Sequence, residues 1–389
     1  MENKSSDVSE SNDFLFLHHE ILMQSLTPAL VYMVVLFVLG IPGNVSVLYI
    51  YFFKCRESTT RVFIMSLAML DIIHCVLIMP SEIALLDNFD NFDYPVVCKI
   101  TRFISSFINN SSAFILIAIA IDRYKKICKP HGHNIDPYMA KKIVVAALIF
   151  AFVTSWQMCM LYGTRTLKHG KTCLISDHMD GKIFPTIYIY VLVVGQGITD
   201  VLLIIFYSLV GREVCIRKAQ RRMRRSLRMS NDMSQIRTSM DFSNESPSPT
   251  PTTSIPNRFS AIFRRETSKE STSSNAKSNE SSRTFMRRSR GGSIRQQILS
   301  KTTIMMFLVT VTFIVSFVPH TAAVIIRYQA KPYVQSLTVS GMEMYQIFLR
   351  SYFMNSVLNP FIYCFVSKQF RKQCKESLQC IKCFKRNKN

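Results

Sequence analysis

Seven stretches of this chain are each long and apolar enough to cross a lipid bilayer, at about 28–53, 62–86, 97–122, 141–161, 184–210, 302–326 and 342–366. A hydrocarbon core about 30 Å thick takes roughly 20 apolar residues in a helix. Backbone groups in lipid must be paired within their own segment, so each stretch is read as a helix. The fold class expected is an all-α membrane protein, a seven-transmembrane helix bundle, with a short amphipathic helix after span seven. This excludes a soluble globule of two or three domains, the usual outcome for 389 residues. Twelve glycines also leave little room for glycine-rich phosphate loops or a β fold with many turns.

Charge sets the direction of the bundle. With the N-terminus outside, the segments 54–61, 123–142, 212–301 and 367–389 face the cytoplasm, and they hold 37 of the 47 Lys and Arg. The first 27 residues carry Lys4 alone against Glu2, Asp7, Glu10, Asp13 and Glu20. The organisation expected is an extracellular tail 1–27, helices one to five in 28–211, a cytoplasmic loop 212–301, helices six and seven in 302–366, and a cytoplasmic helix and tail 367–389. No cleavable signal peptide is visible before Ile21, where the chain is acidic and polar, so the first span is expected to insert itself. Asn3 opens an Asn-X-Ser glycosylation pattern on the outer side, whereas the similar patterns at Asn44, Asn109 and Asn110 lie inside spans. A net charge of +22 would suit nucleic acid if an accessible fold displayed it. Here it lines one membrane face, where anionic lipid is the nearest partner.

Polar residues inside spans are costly and face the bundle interior or a cavity. Asn44 follows Gly40-Ile41-Pro42-Gly43 in span one, and Asp71 closes Leu67-Ala68-Met69-Leu70-Asp71 in span two, which also holds His74. Asp122-Arg123-Tyr124 ends span three, Trp156 is the only Trp, Pro319 interrupts span six, and Asn359-Pro360-Phe361-Ile362-Tyr363 ends span seven. On these residues the chain resembles the rhodopsin-like (class A) G-protein-coupled receptors, over about 28–385. Each motif is weak alone. An Asp-Arg-Tyr and an Asn-Pro-x-x-Tyr at the inner ends of spans three and seven are together specific.

The resemblance implies roles. Asp122 would hold Arg123 until activation releases it toward a heterotrimeric G protein, with Tyr124 beside the pair. Pro360 breaks the ladder of helix seven, and Tyr363 would swing inward with Tyr207 to support the active form. Phe313, Phe317 and Pro319 would form the switch of span six, where Ser316-Phe317-Val318-Pro319 replaces the family's Cys-Trp-x-Pro. Asn44, Asp71, Ser112, Asn355, Ser356 and Asn359 match a polar network that either binds an allosteric sodium ion or is simply hydrated. Cys98 and Cys173 match the family's usual disulfide, on the oxidising side of the membrane. Cys380 and Cys383, beside basic residues after span seven, suit palmitoylation, with plain thiols as the alternative. Two departures stand out. Thr199 replaces the usual Pro of span five, with Asp200 next to it, and 296–301 offers no acid to restrain Arg123, which predicts raised basal signalling.

Ligand classes separate by what is missing. Ser105 stands where aminergic receptors have an Asp, and Phe353 where opsins have a Schiff-base Lys. Arg102, Ser105, Asn109 and Ser112 recur along one face of span three. Glu82, His320, Arg327, Gln346 and Arg350 complete a mouth of mixed charge, suited to an extracellular peptide. The alternative for Arg102 and Arg350 is snorkelling, or pairing with Glu82 and Glu343. Residues 212–228 read as a basic extension of helix five, and 229–290, rich in Ser, Thr, Asn and Pro, as disordered. Thr267 and Ser289 lie in basic kinase contexts, so arrestin and receptor kinases are expected at this loop. The reading is a multi-pass plasma-membrane receptor for a neuropeptide or peptide hormone, not an enzyme. The alternatives are a receptor for a lipid or other small molecule, and a seven-span transporter, which would need repeats that the chain lacks.

Overall fold

The computed structural model describes residues 3–130, 132–167, 170–241, 301–330, 333–334 and 336–386, with side chains from residue 24 except 235–241, 378 and 380–386. Thr267 and Ser289 lie outside the described residues, as do 296–300 and the side chains of Asn3, Cys380 and Cys383. The chain divides into a larger unit, Met1–Val210 with Thr303–Asn389, and a smaller one, Gly211–Thr302.

Six helices are long and apolar enough to cross a membrane, and a seventh apolar segment is shorter. The first helix runs Asn3–Phe53. It takes in most of the tail expected to precede span one, because no Gly or Pro interrupts the sequence before Pro28. Span two covers Thr59–Asp87. Its first turn is capped by Ser58, whose hydroxyl accepts from the Arg61 N–H at 3.2 Å. Within it a π-helical turn, His74–Ile78, joins Thr59–Ile73 to Met79–Asp87. Pro80 has no N–H to donate and crowds the preceding turn, and the Met79 N–H instead reaches back five residues to the His74 carbonyl.

Span three is Pro95–Cys128 and span four Pro137–Ser155, followed by a single turn, Met158–Leu161. Asp136 caps span four by accepting from the Met139 N–H at 2.7 Å, with Pro137 in its first turn. A β-hairpin follows, Tyr162–Leu167 paired antiparallel with Gly170–Ile175. The helical reading of the sequence did not anticipate it. The Cys98–Cys173 disulfide, with Cα atoms 5.5 Å apart, fastens this hairpin to the start of span three. Span five lies in the helix Ile183–Asp241, which reaches past the basic run into the stretch expected to be disordered. Within the smaller unit an Arg217–Glu213 pair at 2.7 Å supports this helix one turn apart.

Span six is Lys301–Gln329. Span seven is broken, with Val339–Leu349 and Phe353–Val366 separated by a turn at Arg350–Tyr352. The break is stitched to span six. His320 Nδ1 donates to the Leu349 carbonyl at 2.7 Å, and Ser351 Oγ donates to the Ser316 carbonyl at 2.7 Å. The last helix is Lys368–Arg386.

Packing follows from the same residues. A Cβ on Gly40 would meet Cys75 Sγ at 2.5 Å, and one on Gly43 would meet Pro360 at 3.0 Å. These two glycines therefore let span one approach spans two and seven closely, as small residues do between membrane helices. The interior holds Phe63, Phe313, Phe353 and Tyr363, whereas Val38, Ile149, Phe152 and Val191 point outward, as on a lipid-facing surface.

Candidate functional site

Polar side chains gather at three depths of the bundle. At the disulfide end a cavity of about 200 Å³ opens between spans three, five, six and seven. Arg102, Ser105, Asn109, His320 and Arg327 line it, together with Tyr352. The remaining sequence candidates, Glu82, Gln346 and Arg350, are buried and form no part of its lining. They hold its wall in place. Glu82 takes Arg102 at 2.5 Å and Arg350 at 3.6 Å, so both guanidiniums turn to one carboxylate and neither pairs with Glu343. Arg350 also donates to the Gln346 carbonyl at 3.0 Å and to its side-chain Oε1 at 2.8 Å. A buried carboxylate needs such partners, since an unpaired charge in lipid is expensive. Tyr352 forms the floor, with its hydroxyl 3.4 Å from Ser105 Oγ and its ring 4.7 Å from that of His320.

Below this floor lies the polar network. Asn359 Nδ2 donates to Asp71 Oδ2 at 2.9 Å, and Asn44 Nδ2 donates to the Ser356 carbonyl at 2.7 Å. Ser112, on span three, is also buried. His74, given no role from sequence, belongs to this layer. Its Nδ1 lies 2.9 Å from Ser356 Oγ, and its ring stacks on Phe353 at 4.7 Å and Tyr352 at 6.0 Å. The ring thus connects the cavity floor to the network. Asp71 Oδ1, Asn355 Oδ1 and Asn359 Oδ1 are buried without a protein hydrogen-bond partner. Buried oxygens of this kind call for a partner such as ordered water.

At the opposite end Asp122 forms an ion pair with Arg123 and a second with Lys126 at 2.8 Å. Arg123 also donates to Thr60 Oγ1 on span two at 2.9 Å. Lys126 and Thr60 escaped the sequence reading. Lys126 had a local signal, being one helical turn from Asp122; Thr60 had none. Tyr124 packs edge-on against Phe206 at 5.9 Å. Tyr207 and Tyr363 are buried, Tyr207 against Phe307 and Tyr363 against Tyr51. In span six, Phe313 and Phe317 lie one turn apart with their rings tilted and 4.5 Å between centroids, and Pro319 follows two residues after Phe317. Asp200 accepts from Gln196 Nε2 at 2.9 Å and Thr199 Oγ1 donates to the Gly195 carbonyl at 3.0 Å; with Thr199 where a Pro was expected, span five runs as an unbroken helix.

Comparison with known proteins gives this layering a context. The family model described as "7 transmembrane receptor (rhodopsin family)" matches residues 43–363. The chain is 31% identical to chemerin-like receptor 2 of Mus musculus over 146 residues, 37% of this chain and 39% of that protein. Against neuropeptide Y receptor type 6 of Oryctolagus cuniculus it is 29% identical over 167 residues, covering 41% and 44% of the two chains. Against the cholecystokinin receptor of Xenopus laevis the identity is 24% over 361 residues, 87% of this chain and 74% of that protein. The aligned part thus spans less than half the length of the first two relatives.

Proposed function

Because the chain belongs to the seven-transmembrane receptors of the rhodopsin family, we propose that it binds an extracellular peptide and activates a heterotrimeric G protein. One observation carries the reading: a polar, cation-bearing cavity at the disulfide end stands over a contiguous core that ends at the buried Asp122–Arg123 pair. The names of the relatives, which include a neuropeptide Y receptor and a cholecystokinin receptor, support a peptide rather than a lipid or an amine. In this reading the disulfide end faces outward and the protein sits in the plasma membrane. The agonist favours the form in which Arg123 leaves Asp122, to the extent that it binds that form more tightly. Tyr207 and Tyr363, both buried, are the groups that this form would bring together.

A sodium ion at Asp71, Asn355 and Asn359 belongs to the same proposal, and would stabilise the resting arrangement. Its readout is the melting temperature in sodium against choline salts, compared with that of Asp71→Asn. Palmitoylation at Cys380 and Cys383, glycosylation at Asn3, and kinase and arrestin action at 212–301 complete the reading. The decisive test measures G-protein activation in cells expressing the intact chain or Arg123→Ala at matched surface levels, before and after challenge with a peptide library. A response abolished by the variant supports the reading. Silence from the intact chain at confirmed surface expression would remove the peptide.

A further inference from the structure

The cavity and the space adjoining it are lined by three guanidiniums and by no carboxylate. Arg102, Arg327 and, in the adjoining space of about 280 Å³, Arg165 line the two volumes, which share Tyr162, Arg327 and Tyr328. Neither lining contains an Asp or a Glu. The three guanidiniums are not equivalent. Arg102 is committed to Glu82 at 2.5 Å and leans over the Tyr162 ring at 5.8 Å. Arg165 meets Asp180 at 3.2 Å, a pair open to water and therefore weak. Arg327 is half-buried and, among the described residues, has no carboxylate within 4.0 Å. Nor does the sequence following it supply one, since Lys331 is the next charge and no acid appears before Glu343.

The surroundings of Arg327 favour an anion further. Tyr162 and Tyr328 bring phenol groups to both volumes. Deeper in the first volume, His320 donates through Nδ1 to the Leu349 carbonyl, which fixes its tautomer and directs Nε2 elsewhere. A guanidinium offers a planar fork of donors that matches a carboxylate in two parallel hydrogen bonds. Partial removal from water makes that pair worth more than it would be at the surface.

Resting on the reading of this cavity as a peptide site, we infer that the ligand presents a carboxylate to Arg327, which selects for that charge. The carboxylate comes from the peptide's C-terminus or from an Asp or Glu side chain. Arg102, held by Glu82, shapes the wall beneath and is not the selecting cation.

The test uses cells expressing the full chain and three random peptide pools. The first has free C-termini and no Asp or Glu, the second is C-terminally amidated and contains Asp and Glu, and the third is amidated without either. Retention of one of the first two at about 10- to 100-fold above the third is the expected result, the size of a charge-assisted hydrogen-bond pair. Which of the two is retained identifies the source of the carboxylate. Arg327→Gln, checked for surface level, is expected to erase the difference, and Arg327→Lys to keep part of it. Equal retention of all three pools, or a difference unaltered in Arg327→Gln, overturns the inference and leaves the peptide reading intact. Retention of none overturns both.

Discussion

Glu82 and Asp122 are both buried carboxylates facing two cations, one at each end of the bundle, but they draw those cations from different places. Glu82 on span two takes Arg102 from span three and Arg350 from the break in span seven. Its three groups strap three helices together. Asp122 takes Arg123 and Lys126 from its own helix, within one turn. Only the Arg123–Thr60 hydrogen bond leaves that helix. The cluster at the disulfide end therefore resists separation of the spans, whereas the one at the opposite end can open without stranding a charge on a neighbouring helix. A bundle anchored at the disulfide end and loosely tied at the other is what the proposed function asks for, since there only the Asp122 end would have to part.

Substitutions can break this contrast. The largest effect is expected from Glu82→Gln, which leaves the buried Arg350 and the partly buried Arg102 without their shared counter-charge. Losing one partner of a buried ion cluster costs about 3–5 kcal/mol, so surface expression and the melting temperature of the purified receptor should both fall sharply. Asp122→Asn also leaves the buried Arg123 without its counter-charge, but it unstraps no second helix, so a loss of melting temperature is not its distinguishing effect. It should instead raise basal G-protein output about fivefold, for a bias of about 1 kcal/mol. Unchanged basal output at equal surface level would refute the loose tie. Thr60→Val removes one hydrogen bond worth roughly 0.5–1.5 kcal/mol, and should raise basal output less than Asp122→Asn does. Smallest of all is Glu57→Gln. The Lys141 side chain beside Glu57 holds its carboxyl below the usual range, but both groups are more than half exposed. Any stabilisation is present at neutral pH and disappears as pH falls through the lowered value. Melting curves of variant and parent should coincide at pH 7.

The contrast also marks what the sequence could reveal. The spans were legible because bilayer thickness imposes a length on every one of them. Asp122, Arg123, Asn359 and Pro360 were legible because charge and Pro are rare at such depths. Shared use of Glu82 was not, because no local pattern links residues on three helices. The broken seventh span had a signal in Arg350, a charge within an apolar run, yet the turn depends on His320 and Ser351 meeting it from elsewhere. The hairpin at Tyr162–Leu167 and Gly170–Ile175 did carry β-branched alternation, which an expectation of helices and loops passes over.

The π-helical turn at His74–Ile78 sets the phase of span two. An α-helix advances about 100° per residue, and a turn that accommodates one more residue rotates everything beyond it by about that amount. The span is in effect two wheels on one axle. Asp71, before the turn, is keyed to span seven through Asn359; Glu82, after it, is keyed to Arg102 and Arg350. Removing one residue from the turn would leave the first wheel in place and spin the second, carrying Glu82 away from both arginines with hardly any change in the span's composition.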